Sequence, residues 1–462
     1  MAVVSTVKLS ELEGAERVDA EYYEPRYIQL AEKIKRQHQF FTLRSIRCTV
    51  VSGPFGSSLK SEAYLAEGVP FIRIQNLEDF FIDTKELVYI SQEDNERLRS
   101  SGLRSGDLVL SKVGNTIGVV SIVTDDIGNC NISENNIGIK FPTSVGAELK
   151  SYVLTFLNSN LGRQQILRKI SGNAQPKLNV QDIYELVLCL PSKGLVTDVN
   201  DLVCRSRVLS NLAKSCYSQA ENILLEELRI KDFDPKYELS YTASLSKAFR
   251  VHRVDAEYFQ PAYDEVTERL VGYKNGYTPL LSYAEPVRPD FDPGRYPDTS
   301  FNYVELADID TSIGIVRSAS EIKGDEAPSR ARRILKRGDV IVSSVEGSLE
   351  KAALVDREYD GSLASTGFFQ FRTRGTHPEV LLVLAKSMVL QAQLKRECAG
   401  TILTAVPNES LKRIIIPILS PEIQQRIAEL VRQSHEARKK ARDLLEDAKR
   451  KVEQAIEVGS AT

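Results

Sequence analysis

Two segments of this chain are near copies of each other. Arg17-Val18-Asp19-Ala20-Glu21-Tyr22-Tyr23-Glu24-Pro25-Arg26-Tyr27 returns as Arg253-Val254-Asp255-Ala256-Glu257-Tyr258-Phe259-Gln260-Pro261-Ala262-Tyr263, at an offset of 236 residues (253 − 17). Leu9-Ser10 returns as Leu245-Ser246 at the same offset. The likeness then weakens but keeps its order. Leu103-Arg104-Ser105-Gly106-Asp107-Leu108-Val109-Leu110-Ser111 aligns with Leu335 to Ser343 at 232 (335 − 103), each a Gly-Asp turn entering a buried strand. Leu167 to Gly172 aligns with Leu394 to Gly400 with a slip of one residue, and the strands Leu186–Pro191 and Ile414–Leu419 follow. A duplication on this scale requires one architecture built twice.

Each half closes on a long helix. Val199, Leu202, Ser206, Leu209, Ala213, Cys216, Ala220 and Ile223 step by three and four. So do Ile427, Leu430, Ser434, Ala437, Ala441, Leu444, Ala448 and Lys451, at a constant offset of 228 (427 − 199). A stripe sustained over three heptads indicates a coiled coil, and its alanines let two axes approach closely. Glu446, Lys449, Arg450 and Glu453 form a solvated face. Antiparallel pairing of the two helices would relate the halves by a pseudo-twofold axis and make a strut of roughly 45 Å. The expected class is α+β: two tandem mixed α/β heads separated by two long antiparallel coiled-coil helices. The expected boundaries are an N-terminal segment 1–40, a first head 41–195, a central helix 196–230, a repeat of the N-terminal segment 231–263, a second head 264–420, and a closing helix 421–462.

Composition narrows the function. Net charge is −3, and residues 42–192 carry 15 Lys and Arg against 16 Asp and Glu, so bulk electrostatics would not coat nucleic acid. Tight DNA binding would need a partner to supply phosphate contacts. Cys48, Cys130, Cys189, Cys204, Cys216 and Cys398 form no CxxC pair, which fits a reducing cytoplasm with neither zinc site nor disulfide framework. No apolar run approaches the length of a membrane span, and Met1-Ala2-Val3-Val4-Ser5 lacks a signal-peptide pattern. The repeated segments and helices agree between halves while the head interiors diverge. Two recognition heads on a shared frame would diverge in that way.

Further residues carry a family resemblance. They are Gly53-Pro54-Phe55-Gly56-Ser57-Ser58-Leu59-Lys60, Gly68-Val69-Pro70-Phe71-Ile72-Arg73-Ile74-Gln75-Asn76-Leu77, Gly106 to Ser111, Asn131-Ile132-Ser133-Glu134-Asn135, and Leu419-Ser420-Pro421-Glu422-Ile423-Gln424-Gln425-Arg426-Ile427. In their order and duplication the chain resembles the specificity subunit of type I restriction-modification systems over nearly its whole length. The second half departs from the pattern: it lacks a GPFGS stretch, and Phe301-Asn302-Tyr303-Val304-Glu305-Leu306 stands where an IRIQN-like strand belongs. The resemblance implies a non-catalytic subunit. Each head is a target recognition domain for one half of a bipartite site in double-stranded DNA, and the helices set the gap. Two adenine methyltransferase subunits dock on the frame, and endonuclease/translocase subunits join them. No cofactor is expected in this chain; S-adenosylmethionine belongs to the methyltransferase.

Sequence is discriminated at base edges, where Asn and Gln suit adenine and Arg and Lys suit guanine. In the first head the loops rich in such groups offer Ser57, Ser58, Lys60, Arg73, Gln75, Asn76, Lys112, Asn115, Asn173, Gln175, Lys177 and Asn179. In the second they offer Ser343, Ser344, Ser348, Thr401 and Thr404. The same residue types also make turns and solvated faces. Arg330, Arg332, Arg333, Lys336 and Arg337 either hold phosphates or form a charged helix face before the Gly338-Asp339 turn. Asn131 to Asn136 and its counterpart Ser365-Thr366-Gly367 are expected to be structural. The RVDAEY segments are expected to tie each head to the helices or to dock a partner.

Catalytic motifs are missing. There is no Asp/Asn-Pro-Pro-Tyr stretch, no glycine-rich nucleotide loop and no GxxxxGK[ST], and His38, His252, His377 and His435 have no metal or triad setting. Asp310 with Glu321-Ile322-Lys323 imitates a Mg²⁺-holding nuclease site, and only one half has it. Two alternatives stand beside the DNA-specificity reading: a two-headed protein-binding scaffold, and a stand-alone Mg-dependent nuclease.

Overall fold

A computed structural model describes residues 6, 8, 19–37, 39–54, 56–172, 176–231, 233–400 and 404–457. Leu9, Ser10, Arg17 and Val18 of the repeated segment lie outside the described residues. The chain divides into two compact units, Met1–Leu209 with Lys440–Thr462, and Ser210–Lys439. Both divisions fall inside the long helices, Lys193–Glu227 of 35 residues and Pro421–Glu457 of 37.

The first unit holds a five-stranded sheet in the order Thr49–Ser52, Asn136–Lys140, Leu108–Ser111, Val120–Ile122, Phe80–Phe81. A second sheet joins Val88–Ile90, Val69–Ile72 and Asn131–Ile132. The second unit repeats both sheets with additions, and the register shows how faithfully. Leu108 faces Ile139 and Val340 faces Phe371; Leu110 faces Val120 and Val342 faces Ala352. Phe71 faces Asn131 and Tyr303 faces Leu363, while Val69 faces Ile90 and Phe301 faces Ile322. Every one of these pairs obeys the offset of 232. Val50 opposite Ile139 and Pro286 opposite Phe371 still obey 236 on their first members, so the first head is four residues longer between Ser52 and Val69. That segment contains the GPFGS stretch, the stretch missing from the second half.

The stretch Phe301 to Leu306, which departs in sequence, does not depart in structure. Val69–Ile72 runs into a tight turn in which Arg73 N donates to Asn76 Oδ1 at 2.9 Å. Ser300–Val304 runs into the same turn, with Glu305 N donating to Asp308 Oδ2 at 2.8 Å. An amide and a carboxylate are interchangeable as acceptors at this place. The Gly-Asp turns also coincide: Arg104 N donates to Asp107 Oδ2 at 3.0 Å, and Lys336 N to Asp339 Oδ2 at 2.9 Å. Gly106 and Gly338 both take positive φ, +86° and +87°, which side-chain-bearing residues avoid. The strands that follow, Leu108–Ser111 and Val340–Ser343, are buried at all four positions, as strands covered on both faces must be.

Each head is closed by a helix and a short strand joined through one glutamine. Gln165 Nε2 donates to Val187 O at 2.9 Å and its Oε1 accepts from Val187 N at 3.0 Å. Gln393 does the same with Ile415 O and N, both at 2.9 Å. These positions correspond at 228 (393 − 165), and so do Ser171 with Ala399 and Lys177 with Ala405, which pair across a hairpin in each head. The sequence alignment therefore needs no slip. Ile166, fully buried, is the counterpart of Leu394, whereas Leu167 is exposed.

The described residues of the RVDAEY segments pack on the helices that carry these glutamines, Asn160–Arg168 and Met388–Glu397. The Arg168 guanidinium lies over Tyr22, 4.3 Å from the ring centre, and Arg396 lies over Tyr258 at 4.7 Å. Arg253 donates to Cys398 O at 2.8 Å.

Within the first unit the long-helix portions run antiparallel. Lys451 Nζ meets Asp198 at 2.6 Å, and Ser206 Oγ donates to Ala441 O at 2.9 Å. Val199, Val203, Val452 and Ile456 enter that head's core. Within the second unit Ser434 Oγ donates to Ala213 O at 2.7 Å. The two serine contacts exchange under the 228 offset. The buried seam differs from the sequence-read stripe at alternate members: Val203, Ser210, Tyr217 and Leu224 are buried beside Val199, Ser206, Ala213 and Ala220, and Val452 replaces the exposed Lys451. Among the described residues no helix is long and apolar enough to cross a membrane.

Candidate nucleic-acid interface

In the first head, four loops are drawn together around Lys112. Its N–H donates to Asn135 O at 2.8 Å, its carbonyl accepts from Leu178 N at 3.0 Å, and its Nζ donates to Ser52 Oγ at 3.1 Å. Gly53 presses on the 133–135 loop so closely that a Cβ there would lie 1.9 Å from Ser133 O, and Glu134 receives Gly56 N–H. Leu178 and Lys177 bring in the hairpin loop: Lys177 N donates to Ser171 O at 2.9 Å and its side chain is exposed. The Arg73–Asn76 turn abuts the same cluster, Ile74 Cδ1 lying 3.8 Å from where a Cβ on Gly114 would stand.

Among the sequence-predicted residues, Lys60, Gln75, Asn115, Lys177 and Asn179 are exposed, and Ser58, Arg73 and Lys112 are half-buried. Gln75 Nε2 donates to Glu86 Oε2 at 3.3 Å, and Arg73 donates to Glu86 O at 2.7 Å. Asn179 Nδ2 is engaged with Ser171 Oγ and Asp182 Oδ2, at 3.3 and 3.1 Å. Ser58 offers its carbonyl to Arg97 at 2.8 Å, and the Lys60 carbonyl accepts from Ala63 N at 3.0 Å. Asn76 is a correction: it is 2% exposed, caps its own turn and donates to Asp83 O, so it presents nothing outward. The Ser57 side chain, Asn173, Gln175 and Thr401 lie outside the described residues.

The second head corrects the serine assignments. Ser343 is fully buried, its Oγ 2.9 Å from Ser348 Oγ and accepting from Val345 N at 3.1 Å. Ser111 and Thr116 occupy the matching places in the first head, 3.4 Å apart. Ser344 is buried and donates to Gly367 O at 3.0 Å. These hydroxyls satisfy a tight turn from within, because a turn buried at its base has no water to serve its polar groups. The turn exposes Glu346 and Gly347 instead, and Glu346 N is fastened to Thr404 O at 3.0 Å. Thr404 is half-buried, with Oγ1 3.4 Å from Gly400 O. Glu346 belongs to the Ser343-Ser344-Val345-Glu346-Gly347-Ser348 stretch that the sequence offers for this head, and there the carboxylate faces outward while Ser343 and Ser344 turn in.

The basic run is a strand rather than a helix face: Ala331–Ile334 pairs with Leu363–Ser365. Arg333 points inward at 4% exposure and donates to Val287 O at 2.7 Å; burial pulls its pKa down to about 10. Arg332 pairs with Asp292 at 3.2 Å, leaving Arg330, Lys336 and Arg337 exposed. Asp310 also does not build a nuclease site. It is bonded to Ser312 N at 2.9 Å and to Arg438 at 3.5 Å, and Glu321 and Lys323 lie in the other sheet. Burial works to raise its pKa, yet Arg438 and Ser312 together hold it below the ordinary carboxylate value. Among the described residues no three His, Cys, Asp or Glu gather as a metal site.

No family model matches the chain. The specificity subunit of the type I restriction enzyme EcoBI, from Escherichia coli, is 27% identical over 164 residues, which is 35% of this chain and 32% of that protein. The chain thus matches about a third of the length of this curated relative. Among solved structures, it is similar to the S subunit of a type I restriction-modification system from M. genitalium, at 12% identity over 91% of this chain and 96% of that one, with a TM-score of 0.40. The HsdS subunit from Thermoanaerobacter tengcongensis is 13% identical over 92% and 97%, with a TM-score of 0.30.

Proposed function

We propose that this chain is the DNA sequence-specificity subunit of a type I restriction-modification complex. Each head reads one half of a bipartite site, the long helices set the unspecified gap, and the shared frame recruits two adenine methyltransferase subunits and, with them, endonuclease subunits. The chain performs no chemistry itself, and S-adenosylmethionine is bound by the methyltransferase. The observation that carries this reading is the contrast between frame and loop tips. Turns, registers and closing helices coincide residue for residue, while the loop tips carry exposed Asn115 and Lys177 in one head and exposed Glu346 beside half-buried Thr404 in the other. Asn and Lys offer donors to base edges, and a carboxylate accepts from an exocyclic amino group, so the two heads have different vocabularies. The net charge of −3 fits a chain whose phosphate contacts come largely from its partners.

The test is methylation of a random-sequence DNA library by this chain co-expressed with its neighbouring methyltransferase. A bipartite adenine-methylated motif with a fixed gap, lost when this chain is omitted, is expected. Lys177→Ala or Gln75→Ala should relax one half-site only. Methylation indifferent to this chain in an assembled complex would transfer the reading to a two-headed protein-binding scaffold.

A further inference from the structure

The helix and strand that close each head carry an ion pair whose polarity is reversed between halves. In the first head Lys169 Nζ donates to Glu185 Oε2 at 2.8 Å. In the second, at the same places under the 228 offset, Glu397 receives Arg413, whose Nε stands 2.9 Å from Oε1 and whose Nη2 binds Oε2. The inner members are the deeply buried ones, Lys169 at 9% side-chain exposure and Glu397 at 4%; the outer members, Glu185 and Arg413, are 46% and 45% exposed. A cation therefore sits under one seam and an anion under the other.

The main-chain ties at the seam are common to both halves. The glutamine clamps grip main chain only, so Gln165 would hold Ile415 as well as it holds Val187. Each short strand, Val187–Cys189 or Ile415–Pro417, adds an apolar edge paired antiparallel to a three-residue partner. Each is preceded by a short helical turn in which Ile183 or Leu411 is buried. In a duplicated chain such closures invite the wrong partner, and exchange of identical elements between copies is a low-cost route to misassembly. With the polarity reversed, both native pairs attract. Both exchanged pairs, Lys169 with Arg413 and Glu397 with Glu185, set a half-exposed charge against a buried one of like sign, and the two repel.

We infer that the reversed ion pair is an identity mark: each closing helix accepts the strand of its own half and refuses that of the other half, whether from the same chain or from a second copy. The surface is thus selective for a segment of this chain bearing the complementary charge.

The test uses full-length protein, unfolded in denaturant and refolded at several concentrations. Light scattering reports the monomeric fraction, and capture between two differently tagged copies reports exchange. Glu185→Arg with Arg413→Glu makes both native pairs repulsive and both exchanged pairs attractive. Relative to wild type it should raise the exchanged fraction by about tenfold, the effect of a coupling near the middle of the range for charges in contact. Adding Lys169→Glu and Glu397→Lys restores native attraction in mirror image and should return exchange to the wild-type level. The neutral Glu185→Gln with Arg413→Gln should fall between. If the double reversal gives no folded protein, the fourfold variant decides alone. Folded and exchanging no more than wild type, it supports the mark; unfolded or exchanging well above wild type, it overturns it. Equal exchange in the neutral and doubly reversed proteins also overturns it.

Discussion

Gln165 satisfies both main-chain groups of Val187. Gln165→Ala leaves two buried polar groups without partners and should cost about 2–4 kcal/mol, read as a lowered midpoint in denaturant unfolding of the first unit. His435 makes a different prediction. Its Nε2–H donates to Ile313 O at 2.8 Å, and burial holds its pKa below the ordinary 6.5, with the carbonyl bond opposing that shift. Below pH 6.5 the unfolded ring takes up a proton that the folded ring refuses, so its contribution to stability is complete above that pH and declines beneath it. Urea unfolding between pH 8 and pH 5 should show the decline, and His435→Gln should flatten it. These two residues were poorly legible in the sequence. A glutamine in a helix and a lone histidine have bland explanations, and only the 228 offset between Gln165 and Gln393 marked one of them. Asn76 and Ser343 were misjudged for the converse reason: composition identifies a turn's hydrogen-bonding residues but not which way they face.

The long helices were legible as elements because a three-and-four stripe has no other regular explanation. Their buried seam was not fully so: Val203, Tyr217 and Leu224 lie one position from Leu202, Cys216 and Ile223, and either set keeps the period. The basic run shows the limit for short elements. Ala331–Ile334 alternates inside and outside over only four residues, too few to separate a strand from a helix turn, and Arg333 is on the inner side against its ordinary preference. If the helices set the gap between half-sites, adding one heptad between Leu209 and Ser210 and another between Ala437 and Arg438 should lengthen it. These places correspond under the 228 offset, and seven residues add about 10 Å of helix, or roughly three base pairs. Methylome sequencing should return the same two half-sites with a wider gap; an unchanged gap would refute the spacer role.

For the molecule as a whole, a net charge of −3 sets an expectation for binding. The chain alone should hold DNA weakly, and its affinity should fall with salt less steeply than that of the complex with the methyltransferase, since fewer phosphates are neutralised. Filter binding from low to physiological salt compares the two slopes directly, and equal slopes would show that this chain carries the phosphate contacts itself. The two-fold duplication was plain from sequence, whereas the constancy of the 232 offset through the heads was hidden, because different side chains fill the same registers. The glutamine clamp explains how that divergence is tolerated. A side chain that grips only main chain is blind to mutation in the strand it holds. Val187 and Ile415 could drift apart over generations without loosening either attachment, and the loops upstream of each strand were free to vary on an anchorage that heredity left alone.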